Sequence, residues 1–331
     1  MNYRSLSDLN AAARELATEL PDSIDLIVGI PRSGLLAANL LCLYRNQPMT
    51  DVDGLCDGRI MRSGYRYDGH REFEHVDHVL VVDDSVDTGR QMQETKSRLD
   101  EHDFPFEVSY AALYVSTHGH RHVDYWSEVV SKPRFFEWNL LHHPMLKNSC
   151  VDIDGVLCRD PTPEENDDGK NYREFIRTVD PEIVPTERVG WLVTCRLERY
   201  REDTERWLDE HGVEYDELVM MDLPSKAARE EREDHAAFKA EVYERTGATL
   251  FVESSPGQAT EIAERTGKPV FCYEANQLVS PGTVARVQTK GNEYLSRFAS
   301  DPVAFSMRAG QHVLSKGTDV MSLLSHRYRD D

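Results

Sequence analysis

Two groups of carboxylates in the sequence each follow or end a short apolar run. Asp83 and Asp84 come directly after VLVV, and Asp152 and Asp154 lie at the end of CVDID. Apolar runs of this length predict buried strands, and in open parallel sheets ligands bind beyond the carboxyl ends of the strands. Neighbouring carboxylates can accept hydrogen bonds from the hydroxyls of a sugar, or they can bind Mg²⁺. The chain therefore has two candidate sites for chemistry, one in each half.

The first pair of carboxylates is followed by a turn that could hold a phosphate group. Thr88 and Gly89 precede a predicted helix, and the N-terminus of a helix offers free N–H groups to an anion. The hydroxyl of Thr88 adds a further donor. We therefore expect a sugar phosphate here, with its phosphate on the turn and its diol on Asp83 and Asp84. The alternative is an ordinary strand, turn and helix in which an Asp or Thr caps the helix.

The segment VLVVDDSVDTGRQ resembles the phosphoribosyl pyrophosphate (PRPP) signature of the type I phosphoribosyltransferases, and the resemblance covers about the first 148 residues. It implies that the paired acids contact the ribose hydroxyls and that the turn binds the 5′-phosphate. The segment GIPRSG lies where that family has its pyrophosphate loop. The PRPP-binding residues implied by the resemblance are Asp83, Asp84, Ser85, Val86, Asp87, Thr88 and Gly89 in the signature, and Arg32, Ser33 and Gly34 in the loop.

A polar, glycine-containing stretch over 57–75 has no apolar periodicity and predicts a long loop. It fits the flexible loop that closes over the pyrophosphate in the same family. The arginines that could reach the pyrophosphate are Arg59, Arg62, Arg66 and Arg71. The alternative for each of them is an ordinary solvated loop charge.

The resemblance also bears on the base that would accept the ribose. Asp87 stands where the 6-oxopurine enzymes carry an acid beside the purine imidazole, so it is a candidate catalytic proton acceptor; capping of the following helix is the alternative. Trp138, in PRFFEW, is similar to an aromatic residue that stacks on the base, and core packing is its alternative. The lysine that reads the purine carbonyl is absent near 115–117, and Glu137 replaces the usual Pro. A purine-like base is favoured, with its identity open.

The second pair of carboxylates suits phosphoryl chemistry. Side chains two residues apart on a strand point to the same face, and Gly155 permits a sharp turn directly after them. Such a pair, Asp152 and Asp154, suits Mg²⁺ and covalent phosphoryl transfer, with one acid as nucleophile and the other as acid and base. The segment VDIDGVL resembles the first motif of the haloacid dehalogenase (HAD) superfamily, most of whose members are phosphatases.

The HAD resemblance assigns roles to residues further along the chain. Thr194, after the apolar run WLV, would hydrogen-bond the transferring phosphoryl group. Lys239 would neutralise the nucleophile and the phosphate, with Lys226 as the second choice. That family commonly has two acids or a later Asp at its last motif, where this chain has one Glu followed by serines. The Mg²⁺ ligands implied are Asp152, Asp154 and Glu253.

Apolar runs alternate with amphipathic stretches along the whole chain, which predicts parallel sheets covered by helices. The predicted strands are Asp25–Ile30, Val79–Val82, Glu107–Tyr114, Cys150–Ile153, Gly190–Thr194, Leu250–Glu253 and Pro269–Tyr273. The predicted helices are Leu6–Leu20, Gly34–Tyr44, Gly89–Glu101, Glu198–Glu210, Ser225–Thr246 and Pro256–Thr266. The fold class is therefore α/β, with two Rossmann-like domains, each a mainly parallel sheet flanked by helices. The resemblances identify these as a type I phosphoribosyltransferase fold and a capless HAD-like fold. The predicted domains are a phosphoribosyltransferase-like domain over 1–148, a HAD-like hydrolase domain over 149–280, and a C-terminal helical extension over 281–331.

The composition excludes several classes of protein. A net charge of −21 over 331 residues disfavours nucleic-acid binding, which needs clustered basic residues. Only nine of the 38 basic residues are lysines, a bias that fits a halophile's salt-rich cytoplasm; an ordinary acidic cytosolic protein is the alternative. No apolar run suits a membrane span, and MNYRSLSDLN lacks the apolar core of a signal peptide. The cysteines show no metal-binding spacing and are expected to be reduced in the cytoplasm.

These features together predict a Mg²⁺-dependent phosphoribosyltransferase that transfers ribose 5-phosphate from PRPP to a nitrogenous base. Its activity would be coupled to a HAD-type phosphatase that acts on a nucleotide or a related phosphate ester. The alternatives are a non-catalytic regulator that senses PRPP or a nucleotide, and a phosphatase whose N-terminal domain only recruits nucleotide. The expected partners are small molecules (PRPP, a base and a phosphate ester), with no nucleic acid, no membrane and a possible homodimer.

Overall fold

The computed structural model describes residues 1–61, 73–228 and 235–281. Over these residues the chain forms two mainly parallel sheets flanked by helices, which confirms the predicted α/β class. Three predictions lie wholly or partly outside the described residues. These are most of the loop over 57–75, with Arg62, Arg66 and Arg71; the C-terminal extension over 281–331; and the middle of a helix predicted over 225–246.

The first sheet has five parallel strands in the order β3-β2-β4-β5-β6. A separate short pairing joins β1 to β7. The elements of this half are β1 (Asn2–Arg4), α1 (Leu6–Glu19), β2 (Leu26–Gly29), α2 (Ser33–Arg45), β3 (Met49–Asp51), α3 (Val52–Cys56), β4 (His78–Val86), α4 (Arg90–Leu99), β5 (Glu107–Val115), β6 (Tyr125–Val129) and β7 (Arg134–Phe136).

The central strand β4 is buried on both faces, as its continuous apolar run requires. Leu80 and Val82 point into a core that α1 and α2 cover. Val79 and Val81 point into the opposite core, which α3 and α4 cover. Because β4 is held from both sides, the residues at its carboxyl end have a fixed position.

The second sheet has six strands in the order β10-β9-β8-β11-β12-β13, of which only β13 is antiparallel. Within the described residues, no helix combines the length and the apolar character needed to cross a membrane. The elements of this half are β8 (Ser149–Val151), α5 (Lys170–Thr178), β9 (Val189–Leu197), α6 (Arg201–Glu210), β10 (Tyr215–Met221), α7 (His235–Arg245), β11 (Leu250–Glu253), α8 (Pro256–Thr266), β12 (Val270–Cys272) and β13 (Gln277–Val279).

The two halves share a hydrophobic contact. Tyr3 lies 5.1 Å from Phe135 and 5.2 Å from Phe271, measured between ring centroids. Phe135 and Leu146 also belong to the core beneath the second sheet. The predicted boundary after residue 148 coincides with the start of β8, but the packing of the segment before it extends into the second half.

Candidate functional site

The first candidate site lies where β2 ends beside the carboxyl-terminal part of β4. The two strands are parallel neighbours, with Gly29 opposite Val82. The predicted strand stops at Val82, but β4 continues to Val86 and so carries Asp83 and Asp84 beside the turn that follows β2. Gly34, in the first turn of α2, packs directly on β4. A Cβ atom there would lie 2.8 Å from the carbonyl oxygen of Val82 and 3.1 Å from the Cα and Oδ1 atoms of Asp83. Glycine at this position therefore lets the α2 turn approach the paired acids.

Asp83 and Asp84 are both buried in the carboxyl-terminal half of β4. The Oδ1 atom of Asp84 accepts a hydrogen bond from the Ser33 hydroxyl at 2.8 Å, and its Oδ2 atom accepts one from the indole N–H of Trp138 at 2.7 Å. Burial, together with the charge of Asp84, raises the pKa of Asp83 well above its ordinary value. Each carboxylate oxygen can accept more than one hydrogen bond, so Asp84 can still receive the hydroxyls of a sugar.

The turn after these acids is open to a ligand. Gly89 is the N-cap residue of α4, with a φ of 78°. A pocket of about 470 Å³ is lined by the predicted turn residues Ser85, Val86, Asp87, Thr88 and Gly89 and by the first turn of α4. The N–H of Arg90 donates to the Thr88 hydroxyl at 3.4 Å. The N-terminus of a helix beside a pocket suits an anion such as phosphate.

The predicted pyrophosphate loop lies beside this turn. Arg32 is exposed and directly precedes α2, and the peptide bond between Pro31 and Arg32 is cis. The side chain of Ser33 is committed to Asp84. Arg32, Ser33 and Gly34 are thus brought to the same edge of the sheet as the paired acids.

Asp87 does not cap α4, because Gly89 occupies the capping position. Its Oδ2 atom instead lies 2.6 Å from the ammonium group of Lys132. Partial burial acts to raise the pKa of Asp87, but the hydrogen bond from Lys132 and the charge of Lys132 outweigh burial. The pKa of Asp87 is therefore below its ordinary value. Lys132 is distant in sequence from the 115–117 segment where a lysine was expected, but the pairing of β5 with β6 brings it near that segment, with the N–H of Val130 donating to the carbonyl oxygen of Val115 at 2.8 Å. Sequence spacing alone gave no signal of this ion pair.

Trp138 belongs to an aromatic stack. Its ring lies 4.9 Å from that of Phe136 at an interplanar angle of 8°, and 6.4 Å from that of Tyr114. The side chain packs against the first core and hydrogen-bonds Asp84. Core packing is therefore observed, and stacking on a base stays a prediction.

A larger cavity of about 630 Å³ lies next to the turn and is lined by both halves of the chain. Ser85 and Asp87 line this cavity and also the turn pocket, so the two spaces adjoin. Thr249 contributes to the wall from the second half, next to Asn148 at the end of the first half.

The second candidate site is built around a buried lysine. The Nζ atom of Lys239 lies 2.6 Å from Asp152 Oδ2, 2.7 Å from Glu253 Oε2 and 3.0 Å from Gln258 Oε1. Burial raises the pKa of Asp152 to about 7, although the nearby Lys239 opposes this shift. Lys226 instead donates to the backbone oxygen of Asn166. Of the two candidate lysines, Lys239 is the one placed among the acids.

Asp154 has a partner that the sequence did not reveal. The guanidinium of Arg196, which is fully buried, reaches Asp154 Oδ1 at 2.6 Å and Oδ2 at 3.0 Å. We expected the apolar run in this region to end at Thr194, but β9 continues to Leu197 and carries Arg196 into the site. The Oγ1 atom of Thr194 accepts a hydrogen bond from the backbone N–H of Arg196 at 3.2 Å. A pocket of about 170 Å³ is lined by Asp152, Asp154, Thr194 and Lys239.

The three acids implied as Mg²⁺ ligands are already paired with other groups. Lys239 bridges Asp152 and Glu253, and Arg196 holds both oxygens of Asp154. The remaining oxygens accept backbone N–H groups, of Ile153 at 2.8 Å on Asp152 and of Ser255 at 3.0 Å on Glu253. Over the described part of the chain, no group of three or more His, Cys, Asp or Glu residues could hold a metal ion. In this arrangement the three carboxylates do not fit Mg²⁺.

No family model and no curated protein matches the chain. Among solved structures, it is similar to a xanthine-guanine-hypoxanthine phosphoribosyltransferase from Helicobacter pylori, with 17% identity, a TM-score of 0.32, and coverage of 42% of this chain and 93% of that one. It is also similar to a purine phosphoribosyltransferase from Pyrococcus horikoshii, with 22% identity, a TM-score of 0.31, and coverage of 41% and 92%. A hypothetical protein from Neisseria gonorrhoeae with bound ppGpp gives 18% identity, a TM-score of 0.33, and coverage of 42% and 90%.

Proposed function

We propose that the first half of the chain is a phosphoribosyltransferase that transfers ribose 5-phosphate from PRPP to a nitrogenous base. The observation that carries this proposal is the packing of the turn after β2 against Asp83 and Asp84 of β4, the strand that leads into α4. The turn after β4 leads into the N-terminus of α4, and the turn after β2 presents Arg32 at the start of α2. Paired acids between two anion-binding turns suit a sugar that carries phosphate at both ends.

In this proposal each group has one task. Asp83 and Asp84 accept hydrogen bonds from the ribose hydroxyls, and the α4 turn binds the 5′-phosphate. Arg32 and the backbone of the α2 turn stabilise the pyrophosphate as it leaves and as positive charge develops on the ribose ring. A Mg²⁺ ion bound to the pyrophosphate of PRPP would neutralise part of its charge. Asp87 stays ionised below neutral pH and can accept a proton or a hydrogen bond from the base.

The binding of PRPP tests this assignment directly. The affinity of PRPP is measured by calorimetry for the unaltered chain, for Asp84→Asn and for the exposed control Glu101→Gln. Loss of a charge-assisted hydrogen bond should weaken binding of PRPP by about tenfold or more in Asp84→Asn, and the control should bind normally. Equal affinity in all three proteins would refute the proposed site.

Turnover separates an enzyme from a sensor. Release of pyrophosphate from PRPP is followed with a panel of bases, in potassium chloride and Mg²⁺. Release that depends on a base supports the transferase. Tight binding of PRPP without release for any base would favour the alternative of a PRPP-sensing regulator.

We also propose a phosphatase activity for the second half, which acts on a nucleotide or a related phosphate ester. It is favoured by a specific observation: Asp152 lies in a pocket with Thr194 and Lys239, and β8 lies between β9 and β11 in the middle of a parallel sheet. The Asp152 carboxylate would attack the phosphorus atom as the bond from phosphorus to the ester oxygen breaks, and the alcohol would leave with a proton. Water would then hydrolyse the aspartyl phosphate to release phosphate and restore Asp152, which Lys239 would hold in place. The ion pair between Asp154 and Arg196 would have to open before Asp154 could act as an acid or base.

Phosphate release from nucleoside monophosphates tests the second activity. Asp152→Asn should abolish release, whereas Asp180→Asn, which changes an exposed acid of the same half, should not. If the first half only recruits nucleotide, Asp84→Asn should leave the turnover of free substrate intact. Absence of release from every ester, with and without Mg²⁺, would exclude the phosphatase.

A further inference from the structure

The cavity between the two halves is placed to hold the second substrate of the proposed transferase. It has a volume of about 630 Å³, within the range of ordinary ligand pockets. Because it shares Ser85 and Asp87 with the pocket of the α4 turn, a molecule bound in it would lie against a sugar phosphate bound on that turn. The ring of Pro133 adds an apolar surface to its wall.

The wall of this cavity carries a buried positive charge. Arg134 is 8% exposed. Its Nη1 atom donates to the backbone oxygen of Val130 and its Nη2 atom donates to the Ser85 hydroxyl, both at 3.3 Å. Among the described residues, no carboxylate lies within ion-pair distance of this guanidinium. Within the described part of the chain, its charge therefore has no direct counter-ion.

The other charged groups around the cavity do not neutralise Arg134. Asp87 is engaged by Lys132 at 2.6 Å, and the carboxylate of Asp84 is engaged by Ser33 and Trp138. Burial lowers the pKa of Arg134, and the charges of Asp87 and Asp84 offset this effect only in part. Burial likewise lowers the pKa of His143, which also lines the cavity, so that imidazole adds no charge at neutral pH. A buried charge without a partner is costly, and an anionic ligand would relieve that cost.

We infer that the cavity binds the acceptor base, and that this base carries a carboxylate or an equivalent anionic substituent that pairs with Arg134. The inference rests on the proposed transferase function and narrows its substrate class. A planar guanidinium can bind a carboxylate through two parallel hydrogen bonds. Lys132 and Asp87, which pair with each other, line the same cavity, and each keeps further hydrogen-bonding capacity for the polar edge of the ring.

Matched pairs of bases test the inference. Hypoxanthine is compared with purine-6-carboxylate, uracil with orotate, and nicotinamide with nicotinate, through release of pyrophosphate from PRPP and through calorimetric binding in the presence of PRPP. In at least one pair, we expect the kcat/KM of the carboxylate base to be at least tenfold above the kcat/KM of its neutral partner. If no turnover occurs, we expect the same tenfold difference in affinity. Equal or better use of the neutral member in every pair would overturn the inference.

Two variants tie the preference to Arg134. Arg134→Gln should abolish the preference for the carboxylate, and Arg134→Lys, which keeps the charge, should retain a reduced preference. The affinity of both variants for PRPP shows whether the fold is intact. If Arg134→Gln kept the preference for the carboxylate base, the inference would be overturned. Failure of the unaltered chain to bind PRPP would instead overturn the transferase proposal. Binding of PRPP together with equal use of neutral and anionic bases would overturn only the inference about the acceptor.

Discussion

At the scale of single residues, the buried Asp152 should make the stability of the second half depend on pH. Burial raises its pKa from an ordinary value of 3.8 to about 7. Between these two values the native state binds more protons than the unfolded state, so the contribution of Asp152 to stability falls as the pH rises. The free energy of unfolding, measured in urea at pH 4.5 to 7.5, should fall more steeply with pH than it does in Asp152→Asn. The difference in slope can approach about 1.4 kcal/mol per pH unit.

The exposed Asp180 provides the control for this pH dependence. Asp180→Asn removes an exposed acid of the same half and leaves the buried pair of Asp152 and Lys239 unchanged. Its free energy of unfolding should change with pH at the same slope as that of the unaltered chain. Identical slopes for the unaltered chain and for Asp152→Asn would contradict a raised pKa at Asp152.

The pair of Asp154 and Arg196 should be important for stability as well as for the chemistry of the pocket. Arg196 is fully buried, its Nη1 atom has no hydrogen-bond partner, and Asp154 holds its other nitrogens. Asp154→Asn would leave a buried charge uncompensated and should lower the free energy of unfolding by about 3–5 kcal/mol. Urea denaturation measures this loss. A loss below about 1 kcal/mol, comparable to that of Asp180→Asn, would show that the ion pair is not significant.

The acids at both sites could be found from the sequence, but their partners could not. Asp83, Asp84 and Asp152 end apolar runs, which is a local pattern. Lys132 reaches Asp87 from 45 residues away, and Arg196 reaches Asp154 from 42 residues away. Such contacts depend on which strands become neighbours in the sheet, and composition and spacing do not encode that order.

At the scale of elements, Gly34 sets the distance between α2 and β4. A methyl group there would meet backbone atoms of Val82 and Asp83, which cannot move aside without shifting β4. Gly34→Ala should therefore lower the free energy of unfolding by about 1–3 kcal/mol and weaken the binding of PRPP. Calorimetry and urea denaturation measure the two effects.

Gly257, in the first turn of α8, is a matched control for Gly34. The nearest atom to a methyl group there would be the hydroxyl oxygen of Ser255 at 3.8 Å. Gly257→Ala should be neutral or should stabilise the chain by up to about 1 kcal/mol. If Gly34→Ala behaved in the same way, the close approach of α2 to the paired acids would not matter for the site.

Buried elements were easier to predict from sequence than those at the edges of the sheets. The strand Leu250–Glu253 and the helix Pro256–Thr266 have the bounds that their apolar patterns predict. The edge strand β6 was missed, because it has polar residues and lacks a continuous apolar run. The edge strand β10 was missed although it ends in the buried apolar run Leu218–Met221. The helix α5 was also missed, although its buried residues Tyr172, Phe175 and Ile176 have the spacing of an amphipathic helix.

At the scale of the whole molecule, the aromatic contact between the halves should make them unfold together. Phe271 is buried, and its ring lies 5.2 Å from Tyr3 and 5.8 Å from Phe135. Phe271→Ala should cost about 3–5 kcal/mol and should also remove the contact with the first half. Hydrogen exchange along a urea titration, read separately for β4 and for β8, should then show two transitions in place of one.

Phe251→Ala shows whether this separation is specific to the contact. Phe251 is equally buried in the second half but packs on Tyr243, away from the first half. Its loss should cost a similar free energy of unfolding and should shift the single transition without dividing it.

The cavity that Arg134 lines is also lined by Asn148, at the end of the first half, and by Thr249 of the second half. Loosening of the two halves in Phe271→Ala should therefore weaken the binding of a base more than the binding of PRPP. Unchanged coupling in Phe271→Ala would mean that the covalent link and the remaining contacts hold the halves together without the aromatic cluster.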